Sequence, residues 1–158
     1  MPVGVGLAGA GTISTQYLTN LARYPDVAVV AIGDLDTDRA AARADTYGVP
    51  SAGTLQTVLD HPGVEVVVNL TVPAAHAEVS TAAIRAGKHV WSEKPLGLDR
   101  ASARAPLDEA ASLGREVCCA PDTVLGPGLQ TALRGIAAGS IGQPLAGLAI
   151  VQGSGPDR

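Results

Sequence analysis

The sequence of 158 residues contains no phenylalanine, one tryptophan, one methionine and two cysteines. With aromatic residues at 3%, the interior has to be filled by aliphatic and small side chains. The cysteines, Cys118 and Cys119, are neighbours in a stretch that reads as extended. Adjacent strand residues face opposite ways, which excludes easy disulfide geometry and predicts two buried, reduced thiols. No set of His, Cys or acidic residues at ligand spacing accompanies them, so neither a metal site nor a thiol nucleophile is read there. Lysine occurs only at Lys88 and Lys94, and the 11 basic residues are scattered singly under a net charge of −4. That is the reverse of a nucleic-acid surface, which clusters its cations. No apolar run reaches the roughly 18 residues of a membrane span, and residues 1–7 lack the basic start of a leader. These absences predict a cytoplasmic chain with neither nucleic acid nor membrane as partner.

Against them stand 46% hydrophobic residues, including 27 alanines, and 19 glycines, enough for one core packed through small side chains. Short apolar runs alternate with segments of helical spacing. The runs predict strands over 3–8, 27–32, 49–50, 64–70, 88–93 and 116–120. Between them, Ile13, Tyr17, Leu18 and Leu21 recur at helical spacing. Asp36 or Thr37, Thr54 and Asp99 stand as N-caps, and Gly48, Gly87 and Gly114 close helices. Pro106 falls inside the helix that follows Asp99, where it removes a hydrogen bond and predicts a kink or a different boundary. Strands alternating with helices give an α/β, doubly wound parallel sheet of the Rossmann type, ordered 3-2-1-4-5-6. Residues 1–120 form this domain. Residues 121–158 read as a linker helix over 129–138, then an apolar strand over 145–151 that opens a further α/β domain and, left unpaired, would associate.

Gly9-Ala10-Gly11-Thr12-Ile13-Ser14 lies between the first strand and the first helix and fits G-x-G-x-x-G, with Ser14 in the third place. Side chains at Gly9 or Gly11 would obstruct the tight turn and the approach of a pyrophosphate to the amides of Thr12 and Ile13 at the positive helix end. Asp34 ends the second strand, 23 positions after Gly11, where a carboxylate accepts hydrogen bonds from ribose hydroxyls. It would repel a 2′-phosphate, which favours NAD, while Arg39 and Arg43 keep NADP open although their simplest reading is solvated charge on a helix face. Ligands of such sheets bind beyond the carboxyl ends of the strands. Asn69, Thr71 and His76 follow the fourth strand, Ser92, Glu93 and Lys94 end the fifth, and Asp122 and Thr123 follow the sixth. Taken alone, His76 in a first helical turn reads as a structural hydrogen-bonder.

The stretches VGLAGAGTIS (5–14), AIGDLD (31–36), VEVVVNLTVPAAH (64–76), AGKHVWSEKPL (86–96) and GSIGQP (139–144) resemble the N-terminal half of the Gfo/Idh/MocA oxidoreductases. That family includes glucose-fructose oxidoreductase, inositol dehydrogenases and many sugar dehydrogenases. The resemblance implies that Lys94 is catalytic, lies near the nicotinamide and the substrate, and precedes a cis Lys-Pro bond. It implies further that Pro73, Glu93 and His76 flank the cofactor and that Asp122 contacts substrate. The implied activity is hydride transfer between nicotinamide and a C–OH of a small-molecule substrate, a sugar or polyol. The chain would be the nucleotide-binding half of a homo-oligomeric enzyme, inactive by itself because the substrate domain is not in it. Two other readings stay open: a non-catalytic dinucleotide-binding module acting with a partner, and a biliverdin-reductase-like enzyme.

Overall fold

Six strands form, β1 (Val3–Ala8), β2 (Val27–Gly33), β3 (Ala52–Gly53), β4 (Val66–Asn69), β5 (His89–Ser92) and β6 (Val117–Cys119), five of them on the predicted apolar runs. Every pairing is parallel, in the order β3-β2-β1-β4-β5-β6 that the alternation predicts. The structure, a computed structural model, describes residues 1–150 and Gln152. It divides after Ala120 into two units. The first holds the sheet with α1 (Thr12–Leu21), α2 (Thr37–Tyr47), α3 (Leu55–Asp60), α4 (His76–Arg85) and α5 (Arg100–Leu113), and the second holds α6 (Pro127–Ala137). Among the described residues no helix is long and apolar enough to cross a membrane.

The helix ends follow their local chemistry. Asp36 caps α2 by accepting from the Arg39 amide at 3.0 Å, and Gly48 ends it in the left-handed conformation at φ 67°. Asp99 and Ser102 form a capping box on α5, which Gly114 closes in the same way as Gly48 closes α2. The helix runs through Pro106, whose ring is buried, so the boundary read from the caps holds.

Two cores cover the two faces of the sheet, as alternation along each strand requires. Val5, Leu7, Ile32 and Val68 pack with Leu18 of α1 and Ala40 and Ala44 of α2. Opposite them, Ala31, Val67 and Val90 pack with Val58 and Leu59 of α3, Val79, Ala83 and Ile84 of α4, and Ala110 of α5.

Three expectations are corrected. The short third strand forms at Ala52–Gly53 and not at 49–50, because the Val49 amide is already bound to the Ala44 carbonyl at 2.9 Å in closing α2. Cys118 is exposed and only Cys119 is partly covered, both as free thiols, because β6 is a three-residue edge strand. The apolar segment over 145–150 is not a strand, and Leu145, Leu148 and Ile150 are exposed. Apolar character alone does not make a strand, which exists only when a neighbouring backbone completes its hydrogen bonds. Val151, the last residue of that expected strand, lies outside the described residues.

Small residues set the distance between α3 and the sheet. A Cβ on Gly33 would overlap the Thr54 carbonyl and crowd Val58 Cγ2 at 2.9 Å. Gly33→Ala should therefore destabilise the fold by about 3 kcal/mol in denaturant unfolding. Gly48→Ala, strained at its positive φ but facing open space, should cost about 1 kcal/mol. Equal losses in the two variants would refute the close-packing account.

Candidate functional site

The first strand ends in a turn that only glycine fits at one point. Gly9 sits at φ 107°, and a Cβ there would lie 2.7 Å from the Leu70 carbonyl oxygen. Gly11, in extended conformation, is the N-cap of α1, and no side chain caps that helix. A Cβ at Gly11 would meet nothing within 4 Å, so the helix start faces open space. Ser14 is fully buried and donates its hydroxyl to the Gly11 carbonyl at 2.7 Å, which ties the turn where the motif usually has a third glycine. The first amides of a helix have no intrahelical partners, and here they open a cradle for an anion.

Asp34 closes the other side. Its Oδ2 accepts from the Ala10 amide at 2.7 Å, its Oδ1 from the Asp36 amide at 2.9 Å, and Arg39 reaches both oxygens at 3.3 and 2.6 Å. The carboxylate is 7% exposed. Burial pushes its pKa up, but the bonds from Arg39 and the two amides outweigh this and hold it below the usual carboxylate range. Arg39 is thus an ion-pair partner of the site and not simply a solvated helix charge. The reason is local: α2 starts directly after β2, so a residue in its first turn comes back over the strand end. Arg43 reaches the same loop, at 3.5 Å from the Ala10 carbonyl.

A cleft of about 610 Å³ opens between these groups. Gly9, Gly11, Thr12, Ile13, Asp34 and Thr71 line it, six of the residues singled out from sequence. Its apolar wall includes Leu35 and Val72, large side chains that remain 102% and 66% exposed. Sequence reasoning passed over both, although an apolar residue directly after a site residue on a strand-end loop is the signal that finds them.

Pro73, His76, Glu93 and Lys94 lie outside that cleft, at the ends of β4 and β5. Pro73 begins a 3-10 turn, Pro73–Ala75, that leads into α4. Asn69 is buried and its amide nitrogen donates to the His76 carbonyl and Ser80 Oγ, each at 3.0 Å, while its oxygen accepts from the Thr71 amide and hydroxyl. His76 is 1% exposed, its ring nitrogens 2.6 Å from the Pro95 carbonyl and 2.9 Å from the Thr71 carbonyl. Through these two contacts the ring staples the loops after β4 and β5, the structural hydrogen-bonding role that the residue-level reading of His76 expects. The Lys94–Pro95 bond is cis. Glu93 Oε2 accepts from the Lys94 amide at 3.1 Å, and Glu93 Oε1 accepts from the Tyr17 hydroxyl at 2.7 Å. Burial first, then the bond to Glu93, push the Tyr17 phenol up to about 12. Asp122 belongs to the second unit, at φ 54° in the left-handed region. Among the described residues no group of three or more His, Cys, Asp or Glu could hold a metal ion.

Comparison with known proteins agrees with this geometry. Residues 3–120 match the family model for an oxidoreductase family with an NAD-binding Rossmann fold. The chain is 34% identical over 143 residues to 1,5-anhydro-D-fructose reductase of Ensifer adhaerens, covering 89% of this chain and 43% of that protein. It is 32% identical over 120 residues to inositol 2-dehydrogenase of Salmonella paratyphi B, covering 74% and 36%. Among solved structures, KijD10, a 3-ketoreductase from Actinomadura kijaniata in complex with NADP and TDP-benzene, superposes with a TM-score of 0.82 at 28% identity, covering 88% and 43%. Biliverdin reductase of Synechocystis sp. PCC 6803, in complex with biliverdin and NADP+, does so with 0.78 at 26%, covering 87% and 43%. The chain therefore spans less than half the length of these relatives. Carrying the glycine turn, the strand-end Asp34 and a family match over 3–120, the chain belongs to the Gfo/Idh/MocA oxidoreductase family as its NAD-binding Rossmann domain.

Proposed function

We propose that this chain is the nucleotide-binding half of an NAD(P)-dependent oxidoreductase that acts on a hydroxyl of a sugar or polyol. The observation that carries the reading is the pairing, across one cleft, of an uncapped α1 start behind Gly11 with the buried Asp34 carboxylate. The residues fit a dinucleotide: Gly11 leaves open the space a diphosphate would enter, and the exposed Leu35 and Val72 offer apolar surface to an adenine. When bound, the nicotinamide supplies the hydride acceptor or donor.

The chain's own residues do the rest. Asp34 takes the ribose hydroxyls, for which it exchanges the half-exposed Arg39 guanidinium. The Asp34 carboxylate repels a 2′-phosphate, so NAD is the cofactor this site favours, and the Arg39 guanidinium, which offsets that charge, admits NADP beside it. Pro73 and Glu93 flank the nicotinamide half. Lys94 polarises the substrate hydroxyl and moves its proton, and Asp122 contacts the substrate. The names of the relatives, a sugar reductase and an inositol dehydrogenase, support the substrate class. In this reading the chain alone binds dinucleotide without turnover, and the longer protein works in the cytoplasm as a homo-oligomer.

Titration with NADH and NADPH, read by quenching of Trp91, tests the proposal. Saturable NADH binding should weaken by about tenfold or more in Gly11→Val at a stability cost of about 1 kcal/mol or less, since a Cβ there meets open space and only the N-cap preference is lost. Asp34→Ala should weaken NADH more than NADPH. A folded chain with no saturable response to either nucleotide would refute the reading.

The ionised form of Asp34 is the one that binds ribose, and its pKa lies below the usual range. Affinity for NAD+ should therefore hold steady as pH falls through the ordinary aspartate value of about 4, and drop only beneath it. A midpoint at or above that value in calorimetric titrations would contradict the role given to Arg39 and the Ala10 amide.

A further inference from the structure

Tyr17 has been given no role in binding or catalysis so far. It lies on α1, the helix whose start faces the cleft, and its hydroxyl makes two bonds. It donates to Glu93 Oε1 at 2.7 Å and accepts from the indole N–H of Trp91 at 3.2 Å. The second Glu93 oxygen takes the Lys94 amide at 3.1 Å. The Glu93 main chain is fixed as well, its amide donating to the Asn69 carbonyl at 2.9 Å. One carboxylate thus spans from α1 to the backbone of Lys94, with both oxygens engaged, an arrangement suited to holding geometry and not to exchanging protons.

We propose that Tyr17 is the positioning residue of the Lys94 turn: acting through Glu93, it fixes the distance between the glycine turn that opens α1 and the end of β5. The inference rests on the reading that a dinucleotide spans these two points, with its diphosphate at Gly11 and its nicotinamide toward Lys94. A phenol is suited to the task. The benzene ring packs in the α1-side core while its hydroxyl extends to the strand end, and a pKa pushed up to about 12 keeps the proton on the oxygen at any working pH. Phenylalanine would fill the same space and leave Glu93 Oε1 and the Trp91 indole without this partner.

The test compares NADH with ADP-ribose, which has the diphosphate and adenosine but no nicotinamide, by calorimetry on the whole chain. In Tyr17→Phe, NADH affinity should fall about tenfold while ADP-ribose stays within about twofold. Glu93→Gln should give the same selective loss, and the double variant should be no worse than either single one. If Tyr17→Phe does not fold, Tyr17→Leu, which also places an apolar side chain there without a hydroxyl, carries the comparison. Wild-type binding of both ligands with an equal loss of both, or no loss of either, in the variants overturns the inference and leaves the functional reading standing. A wild-type chain that binds neither ligand overturns both.

Discussion

The carboxyl edge of this sheet depends on one buried amide. Asn69, the last residue of β4 and fully buried, uses all of its side-chain hydrogen-bonding capacity, two donors to the His76 carbonyl and Ser80 and two acceptor sites for Thr71. A buried polar group left without a partner costs about 1–3 kcal/mol, so a saturated amide admits few alternative loop paths. Its main chain adds a further tie, because the Asn69 carbonyl accepts from the Glu93 amide at 2.9 Å. His76 then bridges Thr71 and Pro95, so that the loops after β4 and β5 behave as one body. The residues at this edge are thus held in place by hydrogen bonds within the protein itself.

How much of this could be read in advance follows from the range of the physics involved. Apolar runs with glycine stops marked five strands in place to within a few residues, and the caps at Asp36, Thr54 and Asp99 marked their helices, because capping is a matter of three or four neighbouring residues. β3 was misplaced because a two-residue ladder has no periodicity, and the competitor that displaced it was a single amide, Val49, already bound in the turn after Gly48. The segment over 145–150 has the composition of a strand without the partner that would make it one.

The site divides along the same line. Gly9, Gly11 and Asp34 were legible because they are dictated by backbone: a positive φ, an uncapped helix start, a strand end. The partners of His76, and the roles of Arg39 and Tyr17, were not, since they come from approach between elements. Tyr17 meets a carboxylate 76 positions away, and His76 meets a carbonyl 19 positions away. No spacing rule reaches that far. Arg39 was within reach, only five residues beyond Asp34, but the choice between solvent and carboxylate depends on how tightly α2 follows β2.

The missing phenylalanines and abundant glycines bear on function through the same packing. Because Gly33 has no side chain, the Thr54 carbonyl at the head of α3 can settle onto the end of β2. Leu55, the next residue, lines the same cleft as Asp34, the residue that follows Gly33. A larger residue at position 33 would push α3 outward and widen the cleft before any of its polar groups changed. The small-residue core and the cleft are in this sense one constraint: the short distance between helix and sheet that the core requires is also what brings Leu55 to the wall of the cleft that Asp34 lines.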